Sequence, residues 1–352
     1  MVVTVEIDVH KQTHCAVGVD AAGRQLGTPK TVRATDAGHR QLMRWAIREF
    51  AEQRVEFAVE DCRHVSTRLE RALLDAGASV VRVPPKLMAQ ARTSARTRGK
   101  SDPIDALAIA RAALREPDLP RAEHTHASRE LKLLVDHRED LVGTRTGLQN
   151  RLRWRLHELD PEFDPPTRKL DLAKHLDRAQ ARLQELPAST VRRIALEELA
   201  DIRALTERIN ALEKEISELV RAQAPQLLDL PGCGALTAAK LLGETANPAR
   251  FRSEACFAMH TGAAPIPASS GKTDRHRLAR GGNRQLNAAL HRIAVTQIRL
   301  DGQGRAYYQR RRANGDTSME ALRALKRRLA RIVFHLLRPT DQLAAAPLPQ
   351  AA

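Results

Sequence analysis

Aromatic residues, cysteines and long apolar runs are all scarce in this sequence of 352 residues. Phe, Trp and Tyr make up 3% of the chain, which argues against an extended base-stacking platform for single-stranded nucleic acid. The four cysteines are far apart and never form a CxxC pair, so neither a zinc site nor a disulfide framework is expected. No apolar run approaches the roughly 18 residues of a membrane span, and the first residues do not read as a signal peptide. We expect a cytoplasmic protein with no membrane partner.

Acidic residues are fewer than basic ones. The chain has 58 Lys and Arg against 42 Asp and Glu, a formal net charge of +16. The excess is regional, because residues 271–338 contain 17 of the basic residues and four of the acidic ones. Clustered Lys and Arg are the main sequence-independent source of affinity for phosphates. The distribution indicates a nucleic-acid partner that contacts the C-terminal part of the chain.

Residues 1–118 are predicted to fold as an α/β domain. Three alternating or β-branched runs separated by short turns predict an antiparallel meander over about residues 2–34. A helix with Asp36 as its N-cap, a strand, a second helix, a short strand at 79–83 and a helix opening at 101–103 follow. The order βββαβαβα is that of an RNase H-like fold.

Residues 127–224 are predicted to form a helical arm, with a bend in the Pro-rich stretch 160–166. A heptad pattern with Ile at a and Leu at d favours a parallel two-stranded coiled coil. An intrachain hairpin with the leucines of the preceding helix is an equal alternative, and both can hold. The heptad residues are Ile202, Leu205, Ile209, Leu212, Ile216 and Leu219.

Residues 225–340 are predicted to form a third, mainly helical domain, and residues 341–352 a disordered tail. The run LPGCGALTAAKLL at 230–242 is similar to a helix-hairpin-helix element. In such an element Gly232 and Gly234 would let backbone N–H groups at a helix N-terminus meet a phosphate. An ordinary turn between two helices is the alternative.

Four carboxylates are predicted to converge on the α/β domain. Asp8 lies on the first strand, Glu60 ends the fourth, and Asp102 and Asp105 share one face of the last helix. In an RNase H-like sheet the first and fourth strands are neighbours, and the last helix packs across them. Clustered carboxylates repel unless divalent cations lie between them, so the set predicts a two-metal site for phosphoryl transfer. Taken singly, Asp102 also fits an N-cap, Asp105 a first-turn partner of the helix dipole, and Glu60 or Asp61 a solvated turn.

Two groups of basic residues are expected to bind nucleic acid. One run, free of acidic residues, precedes Asp102 and would bring phosphates to the metals. A second follows the loop Ala268–Lys272. The predicted contacts are Arg92, Arg96, Arg98, Lys100, Lys272, Arg275, Arg277, Arg280, Asn283 and Arg284.

The order of these motifs resembles the transposases of the insertion-sequence one-hundred-ten family, the bridge-RNA-guided recombinases. IDVHK, AVEDCR and the stretch ending KSDPIDALAIA look like that family's DEDD domain. LPGCGALTAAKLLGE and GAAPIPASSGKTDRHRLARGGNRQLNAAL look like its C-terminal transposase domain. The resemblance spans nearly the whole chain.

The resemblance implies a RuvC-like domain that binds Mg²⁺, with Mn²⁺ as a possible substitute, a coiled-coil dimerisation arm and a nucleophilic serine. Family members place that serine directly before glycine, which selects Ser270, with Ser269 left open. The implied partners are donor and target DNA, a structured bridge RNA and further copies of the chain, as a dimer or tetramer. The implied activity is strand cutting and rejoining through a phosphoserine.

Two other functions fit parts of the same pattern. A metal-only nuclease of the Holliday-junction type would use the carboxylates with water as the nucleophile, and the serine would be incidental. A non-enzymatic architectural protein would use the glycine turn and the basic C-terminal part, bind nucleic acid with a steep salt dependence and ignore Mg²⁺.

Overall fold

The computed structural model describes residues 2–60, 65–83, 87, 109–111, 113–116, 119, 121–123, 125–268, 276–277, 279 and 281–338. They form two compact units, each assembled from separate stretches of chain. Unit 1 draws on Met1–Thr125, Ala246–Asn287 and Arg311–Ala352. Unit 2 draws on His126–Thr245 and Ala288–Arg310. The predicted domain boundaries stay a prediction, and the predicted tail at 341–352 lies outside the described residues.

A five-stranded mixed sheet forms the centre of unit 1, in the order β3-β2-β1-β4-β5. β1 is antiparallel to β2 and parallel to β4, and β4 is parallel to β5. This is the strand arrangement that the βββαβαβα pattern predicts. The strands are β1 Val2–Val9, β2 Thr13–Val19, β3 Gln25–Arg33, β4 Arg54–Glu60 and β5 Ser79–Val83.

Helices α1 (Asp36–Glu49) and α2 (Thr67–Asp75) cover one face of the sheet. Alternate residues of β1, among them Val5 and Ile7, are fully buried there in the main hydrophobic core. The predicted N-cap of α1 is wrong by one residue: the Thr35 side chain accepts from the backbone N–H of Gly38, and Asp36 begins the helix. Thr and Asp are both good caps, and in the first turn the Asp36 carboxylate instead pairs with Arg68.

Unit 2 contains the helical arm, and the intrachain hairpin is present. α3 (His126–Leu159) and α5 (Thr190–Gln223) pack along each other. The a-position isoleucines of the heptad pattern are buried in this contact, whereas the d-position leucines stay half-buried. α4 (Ala173–Glu185), which the sequence analysis did not predict, packs Leu176 and Leu183 into the same core.

The C-terminal part is mainly helical. Its helices are α6 Ala235–Thr245, α7 Glu254–His260, α8 Arg284–Arg299, α9 Gln303–Ala313 and α10 Ser318–Leu337, with 3₁₀ turns at Pro225–Leu227 and Pro248–Arg250. A two-stranded hairpin pairs β6 (Ile266–Pro267) with β7 (His276–Arg277). In the parts of the chain that the structure describes, no helix has the length and apolar character needed to cross a membrane.

Candidate active site

The second face of β1 carries acidic side chains. Glu6 and Asp8 alternate with the core valines and isoleucine, and they are 0% and 5% exposed. Burying a carboxylate costs free energy unless hydrogen bonds, a cation or a proton compensates for the loss of water. Nε2 of His10, in the turn after β1, lies 3.1 Å from Oδ2 of Asp8. The strand therefore holds two carboxylates away from bulk water on one face.

Glu60 is the last residue of β4, beside the end of β1. Because the two strands are parallel and Ile7 pairs with Val59, Asp8 and Glu60 follow at the same end of neighbouring strands. Glu60 is half-buried. The expected pairing of the first and fourth strands at their carboxyl ends is thus present.

Helical residues 109–111 and 113–115 include two side chains that cover this acidic face. Ile109 is fully buried against Ala58, Val81 and Val83, and Ala110 packs on β2. The backbone N–H of Ala110 donates to the Glu6 carboxylate. The side chain of Glu6 therefore ties this helical segment to the centre of the sheet.

The electrostatics of Glu6 show that the carboxylates act on one another. Its pKa is raised well above the usual value, first by burial and then by the negative charges of Asp8 and Glu60, against the lowering effect of the Ala110 hydrogen bond. Glu6 was missed at the sequence level. The period-2 alternation of β1, which puts it on the same face as Asp8, was the signal that could have found it.

Two of the four predicted ligands, Asp102 and Asp105, lie outside the described residues. Within the described ranges, no three His, Cys, Asp or Glu side chains are grouped so as to hold a metal ion. Of the predicted set, the structure therefore brings together Asp8 and Glu60, with Glu6 beside them.

In the sequence, the predicted nucleophile comes between β6 and β7, which pair in unit 1. Ile266 pairs with Arg277 and Pro267 with His276, so residues 268–275 connect the two strands. Ser269, Ser270, Lys272 and Arg275 lie in this connection but outside the described residues. The strand pairing therefore shows where the serine-bearing connection leaves β6 and where it enters β7.

Three of the other predicted nucleic-acid contacts lie among the described residues. Arg277 and Arg284 are exposed. Asn283 uses its side-chain Oδ1 to accept from the backbone N–H groups of Gln285 and Leu286 at the start of α8. Arg92, Arg96, Arg98, Lys100 and Arg280 lie outside the described residues.

The glycines of the 230–242 run differ in their surroundings. Gly232 has a φ of +84°, and a Cβ there would come within 2.9 Å of the Thr296 side chain. Gly234 has open space at the same position, and its carbonyl accepts from Thr237 and Ala238 at the start of α6. Gly232 is thus needed for a close packing contact inside unit 2, while Gly234 leaves the α6 N-terminus accessible.

Two family models match this chain. Residues 5–161 match a model described as a transposase of the DEDD type (DEDD_Tnp_IS110). Residues 224–309 match the model "Transposase IS116/IS110/IS902 family". The first contains the carboxylate face and the second contains the serine-bearing connection.

Relatives from insertion elements match over most of the chain. One is the "Insertion element IS116 uncharacterized 44.8 kDa protein" of Streptomyces clavuligerus, 28% identical over 97% of this chain and 96% of its own length. Another is the "Insertion element IS110 uncharacterized 43.6 kDa protein" of Streptomyces coelicolor, 30% identical over 75% of this chain and 77% of its own length.

Among solved structures, Thermus thermophilus RuvC in complex with a Holliday junction substrate is similar at a TM-score of 0.27 and 16% identity. The similarity covers 35% of this chain and 100% of that one.

Proposed function

Because this chain belongs to the IS116/IS110/IS902 family of transposases, we propose that it moves an insertion sequence through a covalent phosphoserine intermediate. Ser270 is the nucleophile, with Ser269 as the alternative, and Asp8, Glu60, Asp102 and Asp105 hold Mg²⁺ at the scissile phosphate. The family is one of DNA-cutting and rejoining enzymes. The serine nucleophile, the bound metal and the guide RNA go beyond the family assignment and are our proposals.

The observation that carries the proposal is the acidic face of the sheet. Asp8 and Glu60 end two paired strands, and their charges reach the buried Glu6 carboxyl. Carboxylate oxygens are the hard donors that Mg²⁺ and Mn²⁺ prefer, so the residues fit the ion. Asp105 comes four positions before Ile109, which packs on this face, and four residue steps of chain span at most about 14 Å.

The carboxylates neutralise part of the charge of a bound divalent ion and fix its place on a rigid sheet. When bound, Mg²⁺ supplies positive charge that stabilises the phosphate as negative charge builds up in the transition state. Mn²⁺ has similar ligand preferences and is expected to substitute for it.

The serine performs the covalent step. Its Oγ gives up its proton and attacks phosphorus, the bond from phosphorus to one sugar oxygen breaks, and that oxygen takes up a proton and leaves as a hydroxyl. A hydroxyl on another strand then attacks the phosphoserine and releases the serine, so the number of phosphodiester bonds is conserved. Lys272, Arg275 and Arg277 screen the phosphate charge during both steps.

The partners in this proposal are donor DNA, target DNA and a structured bridge RNA. The excess of Lys and Arg over residues 271–338 suits contacts to nucleic-acid backbones, which carry no sequence information. Base pairing by the RNA would supply the sequence choice. Copurified RNA that maps to the DNA flanking the gene would support this part, and a fully active protein stripped of RNA would refute it.

We also propose a dimer or tetramer. The half-buried heptad leucines of α5 offer a seam for a second copy, and the acidic and serine motifs can then act in trans. Mixed oligomers of Ser270→Ala and Asp102→Asn chains should recover activity that neither chain has alone. No recovery would place both motifs of each active site in one chain.

Covalent trapping tests the central claim. The full chain, with RNA transcribed from the flanking DNA, is incubated with labelled duplex carrying the element's end, and then denatured. We expect a Mg²⁺-dependent protein–DNA adduct that Ser270→Ala abolishes and Ser269→Ala keeps. The reverse pattern would assign the step to Ser269.

The two other functions give different results in the same assay. Mg²⁺-dependent cleavage without any adduct would indicate a metal-only nuclease. Binding without cleavage, unchanged by Asp102→Asn, would indicate an architectural protein.

A further inference from the structure

The base of the serine-bearing hairpin is closed by tight backbone packing in unit 1. A Cβ on Gly282 would overlap the backbone nitrogen of Gly262. The backbone N–H of Asn283 donates to the carbonyl of His260, with an N···O distance of 2.6 Å. The stretch that enters β6 and the stretch that leaves β7 therefore meet at one place.

One asparagine on α8 joins this base to another helix. Nδ2 of Asn287 donates to the carbonyl of Thr261 at 2.8 Å, and its Oδ1 accepts from Nζ of Lys326 at 2.6 Å. Thr261 is fully buried. The amide of Asn287 thus links α10 to the Thr261–Gly262 turn that begins the serine-bearing segment.

Lys326 is an unusual residue for its position. It is 7% exposed, on the side of α10 that buries Leu322, Leu325 and Leu329. Its pKa is lowered, first by burial and then by Arg323. Among the described residues, its hydrogen-bond partner is an amide rather than a carboxylate.

A buried lysine costs free energy that an apolar residue of similar size would avoid. Lysine at this position fixes the orientation of the Asn287 side-chain amide. An ammonium group only donates, so it holds the oxygen of the Asn287 amide toward α10. The NH₂ group of the same amide must then face the Thr261 carbonyl.

We propose that Lys326 is a positioning residue for strand cleavage, which acts through Asn287 to hold the base of the hairpin that carries the nucleophilic serine. This proposal rests on the proposed function, because it needs the serine to be the attacking group. Correct alignment of a nucleophile is worth large rate factors, and a displacement of about 1 Å can cost about a hundredfold.

The test compares adduct formation in single-turnover experiments with the full chain, the flanking-DNA transcript and the labelled duplex. Lys326→Met keeps the volume and removes the donor. We expect it to slow adduct formation at saturating DNA by at least about tenfold, while the Kd for DNA changes less than about twofold. Lys326→Arg keeps a donor and should restore a substantial part of the rate.

A matched control separates positioning from charge. Lys174→Met removes one positive charge from an exposed lysine of α4, outside the basic region 271–338, and it should leave the rate at saturating DNA unchanged. Asn287→Ala breaks the link from its other end and provides the test if Lys326→Met does not fold. The double variant Lys326→Met/Asn287→Ala should be no slower than the slower single variant.

The outcomes distinguish the two claims. A wild-type rate for both Lys326→Met and Asn287→Ala would overturn the positioning role and leave the phosphoserine mechanism standing. A wild-type protein that cuts DNA without a serine adduct would overturn both. A lower DNA affinity with an unchanged rate would show Lys326 to be a phosphate contact instead.

Discussion

His14 and His39 stack in the core between β2 and α1, with their Nε2 atoms 3.2 Å apart and their ring planes 18° from parallel. The pKa of His14 is lowered to about 4, first by burial and then by His39. The pKa of His39 is lowered by burial and by Arg68. Two neutral rings can share one N–H between them, whereas two imidazolium rings would repel.

This pair makes unit 1 sensitive to acid. The folded pKa of His14 is depressed below the unfolded value of about 6.5, so the unfolded chain takes up a proton that the folded chain refuses. Stability should therefore fall as the pH drops from about 6.5 to 4, by up to roughly 3 kcal/mol for His14.

Urea unfolding followed at about pH 7 and pH 5 checks this. The double variant His14→Leu/His39→Leu should lose part of the dependence on pH. His137→Gln, at an exposed histidine of α3, should keep all of it. An unchanged pH dependence in the double variant would contradict the assignment.

Glu6 should stabilise the fold by accepting a hydrogen bond from the backbone N–H of Ala110 rather than by its negative charge. Glu6→Leu leaves the Ala110 N–H without its partner and should lower the free energy of unfolding by about 1–3 kcal/mol. Glu6→Gln keeps an acceptor and avoids the burial of a carboxylate, so its melting temperature should equal or exceed that of the wild type. Equal melting temperatures for the Leu variant and the wild type would show that the hydrogen bond contributes nothing.

Adjacent glycines at the hairpin base should respond differently to alanine. Gly282→Ala places a methyl group against Gly262, whereas a Cβ on Gly281 meets open space. The first change should cost about 1–3 kcal/mol of stability and slow adduct formation, while Gly281→Ala should be close to wild type. Calorimetry and the trapping assay measure both effects, and similar results for the two variants would refute the close approach.

The a and d positions of the α5 heptad pattern should affect different contacts, the packing inside unit 2 and the proposed association of chains. Ile209 is 1% exposed, so Ile209→Ala should destabilise unit 2 by about 2–5 kcal/mol. Leu212 and Leu219 are half-buried, and changing both to Glu should leave the fold intact and weaken the proposed association of chains. Light scattering at matched concentrations measures the mass, and an unchanged mass would exclude this seam.

The sheet could be predicted from the sequence because its signals are local. The alternating runs that form β1 and β2 and the short turns that separate them are each encoded within a few residues. The N-cap of α1 was missed by one position because Thr35 and Asp36 are both competent caps, and only the contact of Asp36 with Arg68, 32 residues away, favours one over the other.

The site was predictable only in part, for a related reason. Asp8 and Glu60 follow from strand order. The face on which Glu6 lies follows from the period-2 alternation of β1, but its hydrogen bond with Ala110 joins residues 104 apart, and the link from Lys326 to Asn287 joins residues 39 apart. No local pattern encodes such contacts, since they depend on how helices pack.

Unit 1 is assembled from stretches of chain that the ribosome makes at different times. Asn247 donates to Glu123 at 2.6 Å and Arg250 to the carbonyl of Arg121 at 2.8 Å, so the chain leaves the unit after Thr125 and rejoins it beside the same point. The ribosome makes the sheet first, but residues 246–287 follow only after the helical arm. At 5–20 residues per second this delay is roughly 10–30 s. The sheet with its acidic face is thus made well before the serine-bearing segment of the same unit, which follows only when most of the protein has been translated.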